Sequence, residues 1–101
     1  MQASRIDGER IIDEDGDLTE WVLWQVPPSP KYPEGIKYRL AFILVGTRPP
    51  AILYDNHHPK GHHRHQGELQ ETYSFSTVDR LLADFREDIR RAKAAREGRT
   101  K

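Results

Sequence analysis

The sequence predicts an α+β domain: an antiparallel sheet of four to five strands with one C-terminal amphipathic helix packed on one face. Three observations carry this expectation. Apolar residues alternate in short runs through the first three quarters of the chain, which is the strand period of two. Clusters of Gly, Pro, Asp and Asn separate those runs. The last quarter then switches to helical spacing. Strands first and a helix last argue for a helix lying on a sheet.

The elements follow in order. Arg10 to Ile12 reads as a first strand. Asp13-Glu14-Asp15-Gly16-Asp17 is the turn into a second strand, Leu18 to Val26. There Trp21 and Leu23 share one face, and Leu18, Val22, Trp24 and Val26 share the other. Apolar side chains on both faces predict cover on both, with the tryptophans as core rather than platforms for stacked bases. Val26-Pro27-Pro28-Ser29-Pro30 stops the strand, because proline donates no ladder hydrogen bond. Gly35 closes that loop.

Lys37 to Val45 is the clearest strand: Tyr38, Leu40, Phe42 and Leu44 alternate with Lys37, Arg39, Ala41 and Ile43. Gly46 to Pro50 turns the chain into Ala51 to Asp55, with Ile52 and Tyr54 on one face. Asn56 to Glu71 shows no periodicity and reads as a long polar loop, of the kind that is usually functional or disordered. Thr72 to Phe75 is a short last strand. Ser76-Thr77-Val78-Asp79 supplies a helix start with a carboxylate in its first turn. Val78, Leu81, Leu82, Phe85, Ile89 and Ala92 form one apolar stripe, Glu87 and Arg91 pair across an exposed turn, and Gly98 ends the helix.

With 101 residues the chain fits one domain, expected over residues 1–92 and followed by a basic tail over 93–101 that frays. A core of this size is modest, so a partner or a second copy is one way to supplement it. The absence of cysteine excludes disulfides and thiolate metal sites and permits a reducing compartment. The first residues lead into acids rather than an apolar segment, which predicts no signal peptide. No apolar run approaches the roughly 20 residues a membrane helix needs. Net charge is zero but unevenly spread. Residues 1–25 hold seven acids against two bases, and residues 90–101 hold six bases against one acid. The basic end either meets nucleic acid or an acidic partner, or is simply solvated beside the acidic segment.

All five histidines fall between His57 and His65, in Asn56-His57-His58-Pro59-Lys60-Gly61-His62-His63-Arg64-His65. Three readings stand for this segment. Imidazole gives and takes protons near neutrality, and Lys60 and Arg64 add fixed positive charge. Metal-free RNA cleavage needs those groups: a base for the 2′-hydroxyl, an acid for the leaving oxygen and cations for the developing charge. Alternatively His58, His63, His65 and Asp55 make a metal set, although no familiar ligand spacing is present. In the third reading the rings only hydrogen-bond the loop together. An extended backbone near residue 64 would point His63 and His65 one way and Arg64 the other.

Lys37-Tyr38-Arg39-Leu40, Tyr54-Asp55-Asn56, Lys60-Gly61 with His63-Arg64-His65, Tyr73, Phe75, Leu82, Asp84-Phe85 and Asp88 together resemble the TumE family. These are small toxin components of bacterial toxin–antitoxin pairs. The resemblance covers roughly residues 9 to 89 and is most specific from Tyr54 to His65. The family has a histidine at the place of His58, whereas His57 and His62 stand at variable positions. The resemblance implies a cytoplasmic protein, encoded beside a helix-turn-helix antitoxin that neutralises it. Taken with the histidine segment, it leads to the expectation of an endoribonuclease that uses no metal or other cofactor. His63 and His65 are the expected acid/base pair, with His58 a third proton-handling group. Lys60 and Arg64 are expected to bind the phosphate, and Asp55 to orient a histidine. The alternative is a non-enzymatic protein that binds its antitoxin through sheet and helix, its histidine loop structural or metal-binding.

Overall fold

A computed structural model describes residues 3–99, with Arg99 described by its backbone alone. Six strands form one antiparallel meander in chain order. They are β1 (Ser4–Ile12), β2 (Leu18–Gln25), β3 (Ile36–Ile43), β4 (Ile52–Asp55), β5 (His63–Gln66) and β6 (Leu69–Thr72). One helix, α1 (Val78–Arg99), follows and packs most closely over β4.

Three assignments differ from expectation. β1 begins at Ser4 rather than Arg10 and pairs along the whole of β2, from Ser4 opposite Gln25 to Ile12 opposite Leu18. Its residues are almost all exposed, so no buried alternation announces it. The expected loop over 56–71 is in large part a hairpin. β5 pairs with β4 and β6, and Gly67-Glu68 connects β5 to β6 in two residues, with Gly67 at φ +61°. The expected last strand, Thr72 to Phe75, is displaced accordingly: β6 ends at Thr72, and Tyr73 and Phe75 lie beyond it against the core.

The register explains the core. Leu23, Tyr38, Leu40, Phe42, Ile52 and Tyr54 project from one face and meet Leu81 and Phe85 of the helix. Thr77 caps the helix, its hydroxyl accepting from the Arg80 amide at 3.1 Å. Among the described residues, no helix lies over the opposite face. Val22 and Trp24 on that side are half-buried, so β2 lacks the second layer its two apolar faces predict.

Residues 93 to 99 are helical, where a frayed tail is expected; residues 100 and 101 lie outside the described residues. The helix persists because the acidic turn after β1 receives it. Lys93 Nζ donates to Asp13 at 2.7 Å and Asp15 at 2.9 Å, and Arg96 donates to buried Asp17 at 2.8 Å. The oppositely charged ends of the chain thus close on each other.

Candidate functional site

The period of two divides the histidine segment between the faces of the sheet. Asp55 of β4 pairs with His63 of β5, and Leu53 pairs with His65, so these four share the open face. Tyr54 pairs with Arg64, which places Arg64 under the helix. The open-face set therefore contains His63, His65 and Asp55, and it does not contain Arg64.

The rings of His63 and His65 meet edge to face, with centroids 5.0 Å apart. His63 is buried. Its Nδ1 hydrogen bonds to the Gly61 carbonyl at 2.9 Å, and its Nε2 lies 3.2 Å from Asp55 Oδ1. The Nδ1 contact is a hydrogen bond, whereas the Nε2 approach to Asp55 is an ion-pair distance. His65 is half-buried, and no hydrogen bond is recorded for its ring among the described residues. Burial first, and then the charge of His63, hold its imidazole below the usual histidine value; Lys60 adds to this and Asp55 opposes it. Lys60 is exposed and lines, with His63, Gln70 and Thr72, a cavity of about 520 Å³ at the β6 edge. The arrangement pairs a neutral, proton-accepting ring with an oriented ring and a nearby ammonium.

Under the helix the same hairpin does different work. Arg64 Nε donates to Glu71 at 2.6 Å, and its Nη1 donates to the Tyr54 hydroxyl at 3.1 Å and Asp88 at 3.4 Å. Tyr54 in turn donates to Asp88, which is buried. Hydrogen bonding to Tyr54 is the first cause of the raised Arg64 pKa, and burial, followed by Asp88, raises that of Tyr54. Four polar groups thereby satisfy one another between sheet and helix.

His58 and His62 belong to a third place. They line a cavity of about 320 Å³ with Pro33, Glu34, Asn56 and Pro59. His62 stacks on Phe75, with centroids 4.8 Å apart. Its Nε2 donates to Glu34 at 3.1 Å, which holds that carboxyl below its usual range, and its Nδ1 accepts from the Tyr38 hydroxyl at 2.9 Å. His62 thus clamps the turn segment onto β3. His58 is exposed, with its amide 3.4 Å from the Tyr32 hydroxyl, and His57 is exposed as well.

The chain does not gather His58, His63, His65 and Asp55 into one ligand set. Among the described residues, the one group of three or more such side chains whose ligand atoms all lie within 4.8 Å of one another is Asp13, Asp15 and Asp17. Lys93 occupies their centre. Asp17 Oδ2 makes no hydrogen bond but lies 3.3 Å from Lys93 Nζ, an ion pair without donor alignment.

A family model described as Toxin TumE matches residues 3–93. The chain belongs to the TumE family. No curated protein and no solved structure matches it. The match reaches back through β1 and forward to Lys93, so it includes both partners of the Lys93–Asp13 closure.

Within this TumE-family chain, further residues of the open face were not singled out from the sequence. Arg39 is the cross-strand neighbour of Asp55, and Val22 lies on its other side. Lys37 neighbours Trp24, which neighbours Arg5. The signal was present in the clearest strand, where Lys37 and Arg39 alternate with the buried set, but polar positions read as ordinary solvent exposure. Tyr38 and Glu34 as partners of His62 had no local signal, since both lie more than 20 residues away in sequence. Among the described residues, no helix is long and apolar enough to cross a membrane.

Proposed function

We propose that this chain is the toxin of a toxin–antitoxin pair and that it cleaves RNA on the open face of its sheet without a metal. The single observation that carries the reading is the His63–His65 pair, two adjacent rings with opposed environments beside Lys60. His65 removes the 2′-hydroxyl proton, and the 2′-oxygen attacks phosphorus. The bond to the 5′-oxygen breaks, leaving a 2′,3′-cyclic phosphate. Lys60 neutralises the phosphate and protonates the departing 5′-oxygen. His63, engaged at both nitrogens, is a positioning residue rather than a second shuttle, and Asp55 holds it. Arg64 and His58 take no part in this scheme, because they lie under the helix and beside the separate cavity, respectively.

A helix-turn-helix antitoxin is the expected neutralising partner, and cover of the open face is the direct way to silence this site. A second reading is favoured by His62 and His63, whose ring nitrogens are all engaged as in a structural clamp. In that reading the chain acts by binding alone. Induction of the wild type and of His65→Ala in bacteria separates the two. Growth arrest with fragmented RNA in the wild type, and neither in the variant, supports cleavage. Arrest by both with intact RNA supports binding alone.

A further inference from the structure

We infer that Arg5, Arg10 and Arg39 form a groove for the phosphodiester backbone of single-stranded RNA, on the same open face as the histidine pair. This rests on the ribonuclease reading and names the surface that holds its substrate. The three arginines line one cavity of about 360 Å³, together with Val22, Glu9 and Glu20. Glu20 meets Arg39 at 3.5 Å and Arg10 at 3.9 Å, both as long ion contacts. Among the described residues, Glu9 forms no ion pair with them.

The arginines of the chain differ in their hydrogen bonding. Arg64, Arg80, Arg90, Arg91 and Arg96 each donate a hydrogen bond to a carboxylate. Among the described residues, the guanidinium groups of Arg5, Arg10 and Arg39 donate no hydrogen bond, as is also true of exposed Arg48 and Arg86; what Arg5, Arg10 and Arg39 share is one cavity. Three forked donors around one loosely held carboxylate keep the capacity to grip phosphate oxygens in pairs.

Gly8 lies directly beneath the exposed Arg5 side chain. A Cβ on Gly8 would lie 2.5 Å from Arg5 Nη2, 2.7 Å from Nε and 2.9 Å from Cζ, so the guanidinium rests on the bare backbone. Gly8 is not among the glycines with positive φ, so the backbone itself does not call for glycine there. Space for Arg5 is what the missing side chain supplies.

Register then connects the groove to the chemistry. Arg39 faces Asp55 and Asp55 faces His63, so Arg39 stands two strands, about 10 Å, from the histidine pair. Half-buried Trp24 lies between Arg5 and Lys37 in the adjoining row. A base-stacking surface between cations is the pattern by which single strands are held.

The test measures binding apart from cleavage. A fluorescent 2′-O-methyl oligonucleotide, which cannot be cut, is titrated at several salt concentrations, and cleavage of the unmodified strand is followed in parallel. For Arg10→Gln/Arg39→Gln we expect an affinity loss of about tenfold or more and a salt slope smaller by about 1.4, two lost single-strand contacts. Gly8→Ala displaces Arg5 and should weaken binding several-fold with an unchanged melting temperature. Unchanged affinity and slope in the double variant overturn the groove, even where His65-dependent cleavage stands. Arginine-dependent binding without any cleavage supports the groove while the ribonuclease reading fails. Displacement of the oligonucleotide by a poly-glutamate peptide at equal charge concentration assigns the arginines to an acidic protein and also overturns it.

Discussion

Arg64 and Arg39 stand on opposite faces of one sheet and are used in opposite ways. Arg64, under the helix, donates to Glu71, Tyr54 and Asp88. Arg39, on the open face, is exposed and meets only Glu20, at 3.5 Å. The same contrast separates Lys93, held by three aspartates, from exposed Lys60. Where a layer covers the sheet, every ionic group must be satisfied by the protein, since a buried orphan is costly. Where nothing covers it, Arg39, Lys60 and His65 remain available to a ligand. Charge in this chain is therefore architecture on one side and binding capacity on the other.

The comparison breaks most visibly if the covered face is not the stabilising one. Phe85→Ala removes a buried ring packed edge-on against Tyr54 with centroids 5.9 Å apart, and should cost about 3–5 kcal/mol. Urea melts check this, and a negligible loss would mean that the helix stripe serves another partner. Arg64→Met comes next. It leaves Tyr54, Asp88 and Glu71 without their shared donor and should cost about 2–3 kcal/mol in the same melts. A neutral result would return Arg64 to the list of ligand-binding groups.

Acid titration sharpens the point at the chain ends. The hydrogen bond from Arg96 is the largest cause that holds the Asp17 carboxyl down to about 2, against opposing burial. Because that value lies below the usual 3.8, its stabilisation is present above pH 3.8 and is lost as pH falls through 2. Thermal melts across that window should show a falling midpoint that flattens in Arg96→Gln.

The covered face was the legible one. Tyr38, Leu40, Phe42 and Leu44 recur at every second position, and Val78 to Ala92 repeats at helical spacing, so burial wrote itself into the order of residues. The β5–β6 hairpin was hidden, since β6 is exposed throughout and carries no apolar face. The two-residue Gly67-Glu68 connection was the one local sign of it. Asn56 was missed for another reason. It is buried and bridges the chain, accepting from the Tyr38 amide at 2.9 Å and donating to the Ile36 carbonyl at 2.8 Å, partners 18 and 20 residues away. The clustering of histidines was legible as chemistry; their division between two faces and a turn required the register.

A smaller effect probes the open face alone. His65 is held below the ordinary value near 6.5 by burial and by the charges of His63 and Lys60. The proposed base is therefore deprotonated at neutral pH, and under that proposal the acid limb of kcat/KM should lie below pH 6.5. Lys60→Met removes one of the lowering charges, so that limb should move upward while the rate falls. A limb that stays in place would separate Lys60 from His65.

The most direct measurement is cleavage of a defined single-stranded RNA by purified, tag-free protein in excess chelator, with wild type and His65→Ala compared at equal thermal stability. The His65→Ala melt should stay within about 0.5 kcal/mol of wild type, as open-face changes do. The account predicts a 2′,3′-cyclic phosphate product from wild type and at least about a hundredfold loss in the variant, the low end for removing a general base. Equal cleavage by both proteins, or none by wild type, would contradict it.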